Sequence, residues 1–162
     1  MVLRVAWALG MASLAVPALA ACPQELAVYE SAGGRTALEF VAGGQAMAMS
    51  HEIRILMRDG APVTAYVQPG AALGQPEMVL PVNCPEGDVT GEELAACIVY
   101  RSVVYAADAQ GGLRELPAAG ETAALAVLLP NFAASVWRHP AFGDDGPEQP
   151  PAEIFRLAGC QE

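Results

Sequence analysis

Four cysteines, Cys22, Cys84, Cys97 and Cys160, punctuate the 162-residue chain at intervals of 62, 13 and 63 residues. An even set with no Cys-x-x-Cys pair reads as a disulfide framework rather than as a zinc knuckle or a thioredoxin-type redox site. Three pairings are possible. The nested one, Cys84 with Cys97 and Cys22 with Cys160, closes one local loop and ties down two ends that would otherwise fray. In the chain-entropy model the short bridge is worth roughly 3 kcal/mol and the long one roughly 5 kcal/mol.

Such a framework needs an oxidising compartment, and the N-terminus supplies an address to one. Met1 to Arg4 carries one positive charge, and Val5 to Val16 is apolar apart from Gly10 and Ser13. Pro17 then breaks the helix, and Ala18-Leu19-Ala20 offers the small-x-small pattern of a signal-peptidase site. Residues 1–20 are therefore expected to be a signal peptide and residues 21–162 one acidic globular domain, periplasmic or secreted. The apolar run is shorter than the ~20 residues a spanning helix requires, so no membrane span is predicted. Leu19-Ala20-Ala21-Cys22 also fits a bacterial lipoprotein site, which would anchor the chain by a lipid on Cys22. Acylation would leave three thiols, and that odd count favours soluble export with Cys22 in a bridge.

Charge removes whole classes of function. The chain holds eight arginines, no lysine and eighteen acids, a formal charge of -10. Without lysine there is no P-loop lysine, no Schiff base and no lysine general base. Without a basic run there is no electrostatic footprint for nucleic acid. Cleavage of the signal would leave 142 residues with a charge of -11.

Short alternating runs bounded by Gly and Pro read as strands over Glu25 to Glu30, Thr36 to Val41, Glu52 to Arg58 and Val63 to Gln68, joined in an antiparallel meander. Gly33-Gly34 suits the first hairpin. In the third run Ile53, Ile55 and Met57 share one face. Glu77 to Val82, flanked by prolines, reads as an edge strand. Thr90-Gly-Glu-Glu93 is a capping box that starts a helix over Gly91 to Ala96. Cys97 to Ala106 reads as a central strand covered on both faces, and Asp108 to Gly112 as a turn. A short strand follows at Leu113 to Leu116, whereas Thr122 to Leu129 fits either strand or helix. Pro130 to Arg138 is expected to be helical, Phe142 to Pro151 a loop, and Glu153 to Ala158 the last strand. The fold class is α+β: a mainly antiparallel sheet with one or two short helices, stabilised by disulfides.

Candidate chemistry is sparse. Ser50 and His51 are adjacent and should point to opposite faces of a strand, so they are not expected to serve each other as nucleophile and base. Ser50 or Ser135 with His139 as base is the other serine and histidine combination, and no Gly-x-Ser-x-Gly elbow occurs. The two histidines read as surface or half-buried residues at element ends, and Trp137 as core. Glu86-Gly-Asp88-Val-Thr90-Gly91 has the first half of a calcium loop, but position 12 is Cys97 where a glutamate is needed. The cluster Asp144-Asp145-Gly146-Pro147-Glu148 reads as a solvated loop. No metal and no cofactor are expected. Thirteen glutamates supply carboxylates in number but no pattern of a glycosidase.

The function expected from these features is that of an exported, non-enzymatic binding or accessory protein of a bacterial envelope. Its charge would steer a cationic protein, such as a basic hydrolase, towards it. The candidate binding residues are Glu86, Asp88, Glu92 and Glu93, held between Cys84 and Cys97. A small secreted hydrolase of glycosidase or Ser/His type is the alternative.

Overall fold

The computed structural model describes residues 21–42, 49–58, 60–70, 74–88, 90–137, 139–140 and 149–162. The expected signal peptide and the acid cluster at 144–148 lie outside these residues.

Alternation becomes structure most directly in the first half. A single 3-10 turn at Gln24–Leu26 leads into β1 (Ala27–Ser31), β2 (Thr36–Val41), β3 (His51–Met57) and β4 (Val63–Pro69), each paired antiparallel with the next. In β2 and β3 every second residue is buried, so each strand turns one face to the core. Gly33 and Gly34, both at positive φ, make the β1–β2 turn that a side chain would strain. The Gly34 amide donates to the Ser31 carbonyl there at 2.9 Å.

Then follow β5 (Pro76–Pro81), α1 (Gly91–Ala96), β6 (Ile98–Val103), β7 (Tyr105–Ala107), β8 (Leu113–Arg114), β9 (Ala126–Leu128), α2 (Phe132–Val136) and β10 (Ile154–Cys160). The ten strands form one sheet in the order β6-β5-β4-β3-β2-β1-β10-β9-β7-β8. It is curled into a half-barrel. β6 and β7 are one stretch of chain interrupted at Val104, whose amide donates to the Pro76 carbonyl at 3.1 Å. Its first part pairs with β5 and its second with β9, so the strand series returns upon itself through a single segment. That is the connectivity of an up-and-down barrel, with β8 as a side branch.

Expectations about the class and two of the strands need correction. Among the described residues two α-helices of six and five residues are too little for α+β, and the fold is mainly β. β5 is no edge strand, because it pairs with β4 and β6 on its two sides. Its prolines stand at its ends, where Pro76 faces Pro69, and cost the ladder little. The 98–107 segment is not covered on both faces, since Arg101 is exposed. The ambiguous run at 122–129 resolves as strand only at Ala126–Leu128.

The inner face collects one core that includes Leu38, Phe40, Ile53, Ile55, Val67, Leu80, Val127 and Phe155. At one end α2 inserts Phe132 and Val136 into it. Phe132 meets Tyr100 edge-on at 5.2 Å and Phe155 at 6.0 Å. The Tyr100 hydroxyl, buried and so pushed up in pKa, donates to the Pro130 carbonyl at 3.0 Å and holds the segment entering α2. Trp137, expected in the core, instead ends α2 with 37% of its surface exposed.

Both bridges of the nested pairing are present, Cys22–Cys160 and Cys84–Cys97, with Cα separations of 5.7 and 5.1 Å. The Cys22 sulfur is bonded to Cys160 and cannot at the same time carry a lipid thioether. Two such bridges belong to an oxidising compartment. Among the described residues no helix is long and apolar enough to cross a membrane.

Candidate functional site

The loop between β5 and β6 joins two neighbouring strands, and Cys84–Cys97 stitches it at its neck, just beyond the bond from Val82 N to Cys97 O at 3.0 Å. Within the neck the chain forms α1, no residue of which is buried. What holds this helix is its cap. The Glu93 amide donates to Thr90 Oγ1 at 3.3 Å, and both the Thr90 amide and its hydroxyl donate to Glu93 Oε2 at 2.9 Å. Those bonds hold the Glu93 carboxyl below its ordinary pKa, the backbone one most strongly.

All four candidate acids are exposed, but they are not equivalent. Glu93 is turned inward to the cap, and Glu86, Asp88 and Glu92 are left to solvent. The described ion pairs lie elsewhere: Arg54 with Glu39 at 3.4 Å and Arg101 with Glu77 at 3.8 Å, both on strands. Two of the few arginines are thus engaged away from the loop. The stitched neck and the capped helix restrain the loop, and a restrained loop binds with a smaller entropy loss than a free one. No group of three or more potential metal ligands occurs among the described residues.

The opposite end of the half-barrel holds a buried polar group that the sequence reading missed. Gln24 is fully buried, and its Oε1 accepts from the Tyr29 hydroxyl at 3.0 Å and from the Ala124 amide at 3.1 Å. Because an amide N–H must donate, Oε1 is fixed as the acceptor, and Gln24 Nε2 is left buried without a partner among the described residues. Burial is the main cause that raises the Tyr29 pKa, to about 12. His51, 6% exposed, packs edge-on against Phe40 at 5.5 Å. It is neither a surface nor a half-buried residue. One signal could have found it: His51 continues the Ile53, Ile55, Met57 alternation one step back, on the inward face.

Ser50 and His51 do touch, contrary to expectation, with Ser50 Oγ 3.1 Å from His51 Nδ1. Strand alternation does not separate them because Ser50 precedes β3 and sits in a bend. The Ser50 hydroxyl also lies 3.3 Å from the Val67 carbonyl, to which it can donate, and its role towards Nδ1 follows the tautomer of the ring. Among the described residues no side chain bonds His51 Nε2 to orient the ring as a base. Ser135 likewise donates back along its helix, to the Asn131 carbonyl at 3.0 Å.

No protein-family model matches the chain, and neither the curated proteins nor the solved structures yield a match.

Proposed function

We propose that the protein is an exported, non-enzymatic binding or accessory protein of a bacterial envelope or periplasm, which engages a basic protein through the loop closed by Cys84–Cys97. The observation that carries this reading is the loop itself: Glu86, Asp88 and Glu92 stand exposed on a segment stitched at both ends and capped within. The chain's charge of -10 adds a long-range field of the same sign. The hydrolase alternative gains less, because among the described residues no side chain orients His51 through Nε2 and the Ser135 hydroxyl is bonded to the Asn131 carbonyl.

A panel of proteins of graded charge, a lysozyme-type basic hydrolase among them, tests the reading by calorimetry with the oxidised chain. Binding confined to basic members, together with no turnover of ester or glycoside substrates, is the expected result. Turnover, or indifference to the partner's charge, would overturn it.

A further inference from the structure

The β7–β8 hairpin stands out from the half-barrel. Residues 108–115 are exposed without a break, and Leu113 keeps 55% of its surface in water. β8 is the last strand of the sheet, and among the described residues no strand pairs with its outer side. The ladder fixes which backbone groups are left over. β8 pairs with β7 through Ala106–Arg114 and Ala107–Leu113, and Asp108 N donates to Gly112 O at 3.0 Å. Hydrogen-bonded pairs alternate along an antiparallel ladder, so they fall at 108 with 112 and 106 with 114, and the N–H and C=O of Leu113 turn away from β7. An edge strand with such groups unpaired is a template for another strand.

Charge decides what that strand can be. A chain of charge -10 repels a copy of itself wherever acids face acids, but between Tyr105 and Arg114 the one acid is Asp108. Its Oδ1 accepts from Gln110 N at 2.9 Å and from Gly112 N at 2.7 Å. Those bonds draw the carboxylate over Gly112, where its Oδ2 stands 2.6 Å from the point a Cβ would occupy. Position 112 therefore presents a carboxylate in place of a side chain, and strand alternation puts it on the same face as Arg114 two residues on.

We propose that a second copy of the chain pairs antiparallel with β8 about a two-fold axis at Leu113. In this register each Leu113 N–H donates to the Leu113 carbonyl of the other copy, and the two leucine side chains meet. Arg114 then lies opposite Gly112 of the second copy, against the carboxylate of that copy's Asp108, and the symmetry makes this pair of opposite charges twice. Two other symmetric registers use the same outward groups. One centred on Arg114 sets two guanidinium groups against each other, and one centred on Glu115 does the same with carboxylates, and like charges directly opposite destabilise a strand pair. Gly111, at a φ of 82°, ends the ladder beyond position 112, so the seam is short and the association weak. The loop closed by Cys84–Cys97 enters the sheet at Ile98, at the other end of the 98–107 segment, so a dimer leaves it free and carries two of them. Pairing of this kind is independent of what the loop binds.

Analytical ultracentrifugation of the full oxidised chain, from about 10 μM to about 1 mM, tests the pairing. The wild-type chain is expected to pass from monomer towards dimer over that range. Arg114→Glu, which sets an acid against Asp108 of the second copy, is expected to associate about tenfold more weakly. Leu113→Cys is expected to give a covalent dimer on mild oxidation, because a hydrogen-bonded pair holds its Cα atoms about 5.5 Å apart, within disulfide reach. Arg114→Cys should stay unlinked, since its two copies lie two residues out of register, beyond about 7 Å. Should Arg114→Glu not fold, the two cysteine variants decide. A wild-type chain still monomeric at the highest concentration, association unchanged in Arg114→Glu, or linkage through Arg114→Cys as ready as through Leu113→Cys would each overturn the proposal.

Discussion

The Tyr29 hydroxyl donates to Gln24 Oε1 at 3.0 Å, joining the first strand to the N-terminal turn inside the core, where the same oxygen also takes the Ala124 amide from a hundred residues away. One side chain therefore fastens three segments. Tyr29→Phe would leave Oε1 with a single donor and keep the ring against Phe40, whose centroid is 5.5 Å away. The expected cost is about 1 kcal/mol by urea denaturation, the net worth of one buried hydrogen bond. Gln24→Leu removes the acceptor of both donors and should cost more, about 2 to 4 kcal/mol.

At the opposite end Phe132 is the plug, meeting Tyr100 and Phe155 edge-on with none of its surface exposed. Phe132→Ala should cost about 3 to 5 kcal/mol. Trp137→Ala, at a position more than one-third exposed, should cost clearly less in the same thermal or chemical melts.

The bridges should separate by the length of chain they close. Replacing Cys22 and Cys160 by Ala releases a 138-residue span, and replacing Cys84 and Cys97 a 13-residue one. Losses of about 5 and about 3 kcal/mol follow from the chain-entropy model. Equilibrium unfolding of the two double variants under oxidising conditions measures both.

Much of this architecture could be read before any coordinates. The β2 strand was legible residue for residue because Thr36, Leu38 and Phe40 alternate with polar or half-buried neighbours between glycine-bearing turns. The helix Gly91–Ala96 was legible because its start is fixed by a local pair, Thr90 and Glu93, needing no tertiary contact. The acidic loop and both bridges came from cysteine spacing. β5 was misjudged because proline reads as an edge signal wherever it occurs in a strand, whereas Pro76 and Pro81 only bound this one. The contact between Ser50 and His51 escaped because periodicity says nothing about a residue just outside the strand. The Gln24 group escaped because nothing near Gln24 in the chain announces Ala124 as its partner.

Stability and binding should come apart within the stitched loop. Thr90→Ala removes the hydroxyl of the cap and is expected to cost about 1 kcal/mol. The exposed acids remain in place, so affinity for a basic partner should change little. Thermal melts and titrations on the same samples check both halves.

The binding reading is tested most directly by the salt dependence of affinity for a basic protein, compared between the wild-type chain and one carrying Glu86→Gln, Asp88→Asn and Glu92→Gln together. These three exposed carboxylates take no part in the cap, so the melting temperature should hold. The expected outcome is about tenfold weaker binding at low salt and a flatter salt dependence. Equal affinity of the two chains at low and high salt would contradict a binding role for the loop and leave it a purely structural one.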